Sequence, residues 1–209
     1  MLKLVFESTA KSIAWPEHEH LLVMPYTSQQ DAERSARQLA ARAGCDALLL
    51  VIEDARREGF IAIANQVFMN THSDTFAYVA QDAFAGRHWL AIAHETLQQK
   101  EAGLLAFNDG KWHGQLASFG LVKRSWVNTL YPGTLFYPGY HSHYADVELT
   151  IHALNQKKYC YNPAAMLIEV DWDKEKKSVE ARDRACYRQR AAKGFEGKVS
   201  SADLLQRFS

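Results

Sequence analysis

Cysteine is scarce in this sequence, and its few copies lie too far apart to indicate a crosslinked or zinc-binding protein. The 209 residues contain three cysteines, Cys45, Cys160 and Cys186. They form no Cys-x-x-Cys pair, and their odd number and wide spacing give no disulfide framework. We therefore expect a protein of a reducing compartment, the cytoplasm.

Net charge is also lacking, because 24 lysines and arginines balance 24 aspartates and glutamates. The chain thus has no basic surplus of the kind that favours nucleic acid as a partner. No apolar run reaches the length of a transmembrane helix, and the first residues do not show the pattern of a signal peptide. We expect any contact with a membrane to be peripheral.

What the sequence does contain, in its first half, is an alternation of apolar strands and helices. Buried strands are predicted at 21–24, 47–52 and 76–80, each followed by a helical segment. The strands are apolar without alternation, which is typical of strands covered on both faces. This pattern predicts an α/β domain with a largely parallel sheet.

Polar residues follow each of these three strands. They are Pro25-Tyr26-Thr27, Glu53-Asp54 and Gln81-Asp82. The carboxyl ends of parallel strands meet at one edge of a sheet, where open α/β proteins bind their ligands. The pattern predicts a crevice for a small polar ligand, although polar loops and a helix-start acid at Asp82 would look the same.

The second half has shorter elements. Strands are predicted near 104–107, 116–122, 159–161 and 166–168, and helices at 123–130 and 144–156. Between these helices lies a loop rich in proline, glycine and aromatic residues, long enough to be functional. A charged segment follows from residue 173, for which a solvated helix is the default expectation.

In order and spacing, residues 20–172 resemble the family-2 glycosyltransferases of GT-A fold, of bacterial or phage type. The matching segments are "LLVMPYTS", "LLLVIED", "FAYVAQDAFAGRHWL" and "YADVELTIHAL". The resemblance implies one α/β domain over 1–172, with a mainly parallel central sheet flanked by helices. It divides this domain into a nucleotide-binding half of about 20–107 and an acceptor half of about 108–172. Residues 173–209 would form a charged helical tail.

The resemblance also implies a donor site for a nucleotide sugar. In the family, an Asp-x-Asp motif after the third strand holds Mg²⁺ or Mn²⁺, which neutralises the diphosphate leaving group. Here only Asp82 of that motif remains. Some relatives supply a late histidine to the metal; the corresponding region here has Glu169 and Asp171 and no histidine, so either an acid substitutes or that ligand is missing. The residues expected to bind the nucleotide are Pro25, Tyr26, Thr27, Glu53, Asp54, Arg57 and Asp82.

Two acids of "YADVELTIHAL" match the catalytic part of the family's pattern. Asp146 would be the general base that deprotonates the acceptor hydroxyl in an inverting transfer, and Glu148 is the accompanying acid. The plainer alternatives are a helix-start acid for Asp146 and a solvated helix face for Glu148, paired with His152 four residues on.

The acceptor is expected near two further segments. Asp109 and Trp112 follow a strand, and sugars stack on aromatic rings and hydrogen-bond to acids. His141 and His143 lie in the aromatic loop just before Asp146. The alternative for the first pair is a tight turn. The alternatives for the two histidines are a polar cleft wall and the ligation of a metal, on which alternate histidines can converge.

The reaction implied by the resemblance moves a sugar from a nucleotide-diphosphate donor to a glycan or lipid-linked acceptor, as in cell-surface polysaccharide synthesis. The arginines of the tail would suit contact with the inner face of an anionic membrane. A second reading is a catalytically degenerate GT-A domain that binds nucleotide or glycan, or serves as a scaffold. A nucleotidyltransferase is disfavoured, since "PYTSQQDAE" lacks a glycine-rich, basic phosphate loop.

Overall fold

The computed structural model describes residues 1–8, 17–169 and 181–208. Eight strands occur in these ranges: β1 (Leu2–Glu7), β2 (His20–Tyr26), β3 (Ala47–Glu53), β4 (Thr75–Tyr78), β5 (Ala83–Ala85), β6 (Leu104–Asn108), β7 (Gly120–Lys123) and β8 (Tyr159–Glu169). Eight helices accompany them: α1 (Gln29–Arg42), α2 (Phe60–Met69), α3 (Trp89–Gln99), α4 (Arg124–Leu130), α5 (Ala145–Asn155), α6 (Ala181–Ala192), α7 (Gly194–Gly197) and α8 (Ala202–Gln206).

All eight strands join one sheet in the order β1-β3-β2-β4-β7-β6-β8-β5. The first four run parallel to one another, and β6 runs parallel to β8. β7 lies antiparallel between β4 and β6, and β5 is antiparallel to β8. The predicted α/β domain with a mainly parallel sheet is confirmed, with β7 and β5 as its antiparallel members.

The two faces of the sheet carry separate hydrophobic cores. Leu49 and Val51 of β3 pack towards α1 and α3, where Leu39 and Leu97 are buried. The alternate β3 residues, such as Leu50, pack towards α2, α4 and α5 on the other face. Because side chains of a strand alternate between faces, covering both explains why these strands are apolar throughout.

Some boundaries differ from the sequence prediction. β1 was not predicted, and it adds to the edge of β3 with Leu2 opposite Ala47. The third predicted strand is too long: β4 ends at Tyr78, and the chain turns at Ala80 before the three-residue β5. The two strands predicted near the end of the domain form one continuous strand, β8. Short edge strands carry too little periodic signal to be recognised.

The charged tail is helical over 181–192, but it is not a solvated helix. Tyr187 and Ala191 of α6 and Phe195 of α7 are buried in the core that contains α5. The expectation of a solvated helix is therefore wrong for this face, while Arg182, Arg184 and Arg188 are exposed as expected. The part of the predicted tail from 173 to 180 lies outside the described residues. Over the ranges that the structure covers, no helix is both long and apolar enough to cross a membrane.

Candidate functional site

Hydrogen bonds join the turns that follow β2, β3 and β4. The Asp54 N–H donates to the Tyr26 carbonyl at 2.7 Å. The N–H groups of Thr27 and Ser28 both donate to Gln81 Oε1, at 2.7 and 3.0 Å. Together the turns enclose a cavity of about 190 Å³. Its lining consists of Pro25, Tyr26, Thr27, Asp54, Phe60, Ala80, Gln81 and Asp82.

The cavity contains most of the residues expected to bind a nucleotide. Pro25, Tyr26, Thr27, Asp54 and Asp82 line it. The other two expected residues, Glu53 and Arg57, are exposed and are not part of the lining. The strand-end pattern therefore located the cavity but not every residue of its wall.

Asp54 shapes the turn after β3 through its carboxylate. Its oxygens accept the N–H groups of Glu58 at 2.7 Å and Gly59 at 3.0 Å, just before α2. Gly59 has φ 92°, and a Cβ there would lie 2.9 Å from the His141 carbonyl oxygen. The aromatic loop thus reaches the turn after β3 at a position that only glycine fits.

Asp82 lies in the turn between β4 and β5, beside the end of β8. Its neighbour Ala83 pairs with Glu169, so this turn brings one late acid near Asp82. No group of three or more histidines, cysteines or acids suited to a metal occurs among the described residues. A magnesium-like ion that keeps several waters and binds phosphates needs only one or two carboxylates. Asp82, together with the nearby Glu169, would offer that number of carboxylates.

Asp146 stands in the first turn of α5, below the end of β4. Burial raises its pKa to about 6, against the opposing effect of backbone hydrogen bonds from Val147 and its own N–H. Burial and then the Asp146 charge raise the pKa of Tyr78, the last residue of β4. A carboxylate in this environment is a stronger base than an ordinary aspartate yet is ionised at neutral pH.

Glu148 lies on the same helix but in different surroundings. It is 0% exposed, and Arg190 binds it through Nε and Nη2, both at 2.7 Å. The hydroxyls of Tyr131 and Tyr140 donate to it at 2.6 and 2.8 Å. Burial would raise the pKa of Glu148, but these bonds lower it to about 2. The alternative of a solvated helix face is therefore wrong for Glu148, although His152 Nε2 does lie 3.7 Å from its carboxylate.

Of the expected acceptor residues, Asp109 is the most enclosed. Its carboxylate accepts the N–H groups of Lys111 at 2.9 Å and Trp112 at 2.8 Å, and the Ser118 hydroxyl at 2.5 Å. Asp109 is 6% exposed, so it holds the turn together, while Trp112 is half-buried beside it. A tight turn organised by aspartate is the local structure here.

His141 and His143 lie in a loop whose backbone is bound by a single carboxylate. Asp183 of α6 accepts the N–H groups of His141 at 2.9 Å, of Ser142 at 2.8 Å and of His143 at 2.8 Å. Burial would raise the pKa of Asp183, but these three donors lower it. Both imidazoles are half-buried in the loop that leads into α5.

Sequence reasoning missed Gln81, Asp183 and Arg190 as organisers of the site. Gln81 sits directly before Asp82, and its amide gives no signal of an acid or a metal ligand. Asp183 and Arg190 are seven residues apart with Tyr187 between them, a spacing that places all three on one helix face. That spacing was the available signal within an otherwise charged segment.

An eight-stranded mixed sheet with helices on both faces and a cleft at the ends of its parallel strands is the GT-A fold. One similar structure is Staphylococcus aureus TarS 1–349 in complex with UDP-GlcNAc, with a TM-score of 0.69 and 12% identity over 91% of this chain and 71% of that chain. Another is the mannosyltransferase PcManGT from Pyrobaculum calidifontis with GDP-Man and Mn²⁺. Its TM-score is 0.55, with 16% identity over 84% of this chain and 61% of that chain.

No protein-family model matches the sequence, and no curated protein sequence matches it. At these identities the similarity establishes the fold, and the function has to be argued from the site.

Proposed function

We propose that this protein is a glycosyltransferase, related to family 2, that moves a sugar from a nucleoside-diphosphate donor to a glycan or lipid-linked acceptor with inversion. The observation that carries this proposal is the cavity at the joined ends of β2, β3 and β4. Two structures of the same fold were solved with UDP-GlcNAc and with GDP-Man. A reaction in the cytoplasm, at the inner membrane face for a lipid-linked acceptor, belongs to the same proposal.

In this proposal the nucleotide lies against Pro25, Tyr26 and Thr27, with Tyr26 and Phe60 as aromatic walls. Asp82 would hold Mg²⁺ or Mn²⁺, which would supply positive charge to the diphosphate. Asp54 keeps the turn in shape. Arg57 and Glu53, exposed outside the lining, would contact only the outer parts of the nucleotide.

Asp146 would accept the proton of the attacking hydroxyl. Its raised pKa of about 6 supports this role, because a base is most effective when its pKa lies near the working pH. Trp112, His141 and His143 would line the acceptor side. Asp109 and Glu148 would support this side from within, since their carboxylates are already bound by neighbouring groups.

Isothermal titration with UDP and GDP, each with and without Mn²⁺, tests the donor site. We expect one nucleotide to bind with a Kd that falls at least tenfold when Mn²⁺ is added, and Asp82→Asn to remove that gain. Asp203→Asn, an exposed acid on α8, is the matched control and should bind like wild type. Absence of binding to both nucleotides would contradict the proposal.

The second candidate is a degenerate GT-A domain that binds nucleotide without transfer. It is favoured by the single Asp-x-Asp acid in the cavity, Asp82. Release of UDP from UDP-GlcNAc, or of GDP from GDP-Man, separates the two candidates. Nucleotide binding with no release from either donor, in wild type and Asp146→Asn alike, would favour the degenerate domain.

A further inference from the structure

Helix α6 meets the start of α5 at three successive points. The Asp183 carboxylate accepts three backbone N–H groups of residues 141–143. The Tyr187 ring stacks on Tyr144, with centroids 4.7 Å apart and an interplanar angle of 20°. The third contact is the two-pronged ion pair between Arg190 and Glu148.

These contacts run in step along both segments. Asp183, Tyr187 and Arg190 are spaced i, i+4 and i+7, so they form one face of α6. Their partners follow in the same order: the loop 141–143, then Tyr144, then Glu148. Asp146 lies between the second and third partners. A single helix, α6, therefore contacts both the 141–143 loop and the first turn of α5, the two segments that surround the proposed base Asp146.

The entry to α5 needs such support. Tyr144 precedes the helix with φ 68°, a left-handed conformation that is unfavourable for a residue with a side chain. The N-cap residue Tyr144 makes no side-chain hydrogen bond to the first turn of α5, where the Asp146 carboxylate accepts its own N–H and that of Val147. Glu148 is fully buried, and an ionised carboxylate at such a place is stable only with its partner present. Two α6 contacts meet these costs directly, because the Tyr187 ring packs on Tyr144 and Arg190 pairs with Glu148. The third, from Asp183, binds the loop just before the helix.

We propose that the face of α6 formed by Asp183, Tyr187 and Arg190 positions Asp146 and the 141–143 loop. In that position Asp146 can take the proton of the acceptor hydroxyl while this hydroxyl attacks the donor sugar. These three are positioning residues, because none of them lines the donor cavity. The catalytic consequence of this positioning rests on the proposed function. The mechanical coupling between α6 and Asp146 is measurable without any reaction.

The experiment titrates Asp146 by NMR of carboxyl-labelled aspartate in the full chain, with Asp146→Asn identifying its signal. Wild type is compared with Asp183→Asn, Arg190→Lys and Tyr187→Ala. We expect Asp146 to titrate near pH 6 in wild type. In the three variants water should reach the loosened turn, and the midpoint should fall by at least one pH unit.

Two variants serve as controls. Tyr187→Phe keeps the ring that stacks on Tyr144 and removes only a buried hydroxyl, for which the described part of the chain offers no hydrogen-bond partner. Arg188→Lys changes an exposed residue on the outer side of α6. Both should leave the Asp146 midpoint unchanged. Circular dichroism identifies a variant that fails to fold. The remaining substitutions on this face of α6 then show whether the Asp146 midpoint depends on it.

Unchanged Asp146 midpoints in the folded face variants would overturn the proposal. So would a midpoint in Arg188→Lys that falls as far as in Arg190→Lys, because the effect would then be general. Where wild type hydrolyses UDP-GlcNAc or GDP-Man, the face variants should lose at least tenfold in kcat with donor KM within twofold. Failure of UDP and GDP to bind would contradict the proposed function. The Asp146 midpoints would still show whether α6 and Asp146 are coupled.

Discussion

At the scale of single residues, the buried acids near the cleft differ in how their carboxylates are bound. Asp54, Asp109 and Asp183 accept backbone N–H groups, and Glu148 accepts an arginine and two tyrosines. Asp146 differs, since burial raises its pKa to about 6 with only local backbone hydrogen bonds opposing the shift. A carboxylate kept basic in this way costs the fold stability, and that cost is measurable.

Replacement of Asp146 by asparagine should stabilise the fold at neutral pH. The folded state binds the Asp146 proton more tightly than the unfolded state, so the free energy of unfolding falls as pH rises from 3.8 to about 6. Because the residue is partly exposed, we expect a gain of about 1 kcal/mol in Asp146→Asn at pH 7.5. The gain should vanish at pH 3.5, where both side chains are neutral. Urea unfolding at the two pH values checks this, and an equally stable or less stable variant at pH 7.5 would contradict it.

Gln81 should control the shape of the cavity at the strand ends through its amide oxygen. Gln81→Ala leaves the N–H groups of Thr27 and Ser28 without their acceptor, whereas Gln81→Glu retains one. We expect hydrogen exchange of these two amides to accelerate at least tenfold in Gln81→Ala and to stay slow in Gln81→Glu. Exchange measured by NMR decides this, and equal rates in all three proteins would show that the amide bridge is not formed in solution.

At the scale of elements, β2 and α3 meet through a pair of histidines. The rings of His20 and His94 have centroids 3.7 Å apart, and His20 Nδ1 lies 3.0 Å from the Thr75 hydroxyl. Burial, followed by the His20 charge, lowers the pKa of His94 to about 3, and burial also lowers that of His20. The contact between these two elements therefore depends on both rings remaining neutral.

The histidine pair should make the fold sensitive to acid. Since the folded pKa of His94 is depressed, its stabilising contribution is complete above pH 6.5 and is lost as pH falls towards 3. The loss is at most about 1.4 kcal/mol per pH unit for one histidine. His94→Phe should flatten this dependence, while His113→Gln, at an exposed site, should not. Urea unfolding between pH 7.5 and 4.5 tests it, and parallel curves for wild type and His94→Phe would contradict it.

The elements that the sequence predicts well are those whose burial leaves a compositional mark. β2 and β3 are apolar along their length because cores cover both of their faces. β1, with two exposed residues, and the three-residue β5 leave no such mark. In the site, polar strand ends predicted the cavity. The sequence does not show that the carboxylates of Asp54 and Asp109 accept backbone N–H groups, because these hydrogen bonds depend on how each turn closes.

At the scale of the whole molecule, α6 presents two different faces. Asp183, Tyr187 and Arg190 point to the core, while Arg182, Arg184 and Arg188 are exposed. Exposed arginines attract anionic lipid, with a strength that salt screens. This arrangement supports the proposed approach to a lipid-linked acceptor from the membrane surface.

Membrane contact should follow the exposed arginines. We expect the protein to co-sediment with phosphatidylglycerol vesicles at 50 mM salt and to be released at 500 mM, with no binding to phosphatidylcholine vesicles. Replacement of Arg182, Arg184 and Arg188 by glutamine should reduce the bound fraction at least fivefold without changing the melting temperature. Equal binding of the triple variant would assign the contact to another surface.

The stability of the domain should depend on its C-terminal helices. A chain ending at residue 180 loses Arg190, which leaves Glu148 buried and unpaired at a cost of about 3–5 kcal/mol. It also exposes the core surface now covered by Tyr187 and Phe195. Domains of this kind are stable by only about 5–15 kcal/mol, so this combined loss should abolish cooperative melting. A chain ending at residue 200 keeps Arg190 and loses only α8, and it should still melt cooperatively. Cooperative melting of the 1–180 chain at the wild-type temperature would mean that α6 is an appendage, and the positioning role proposed for it would fall with that result.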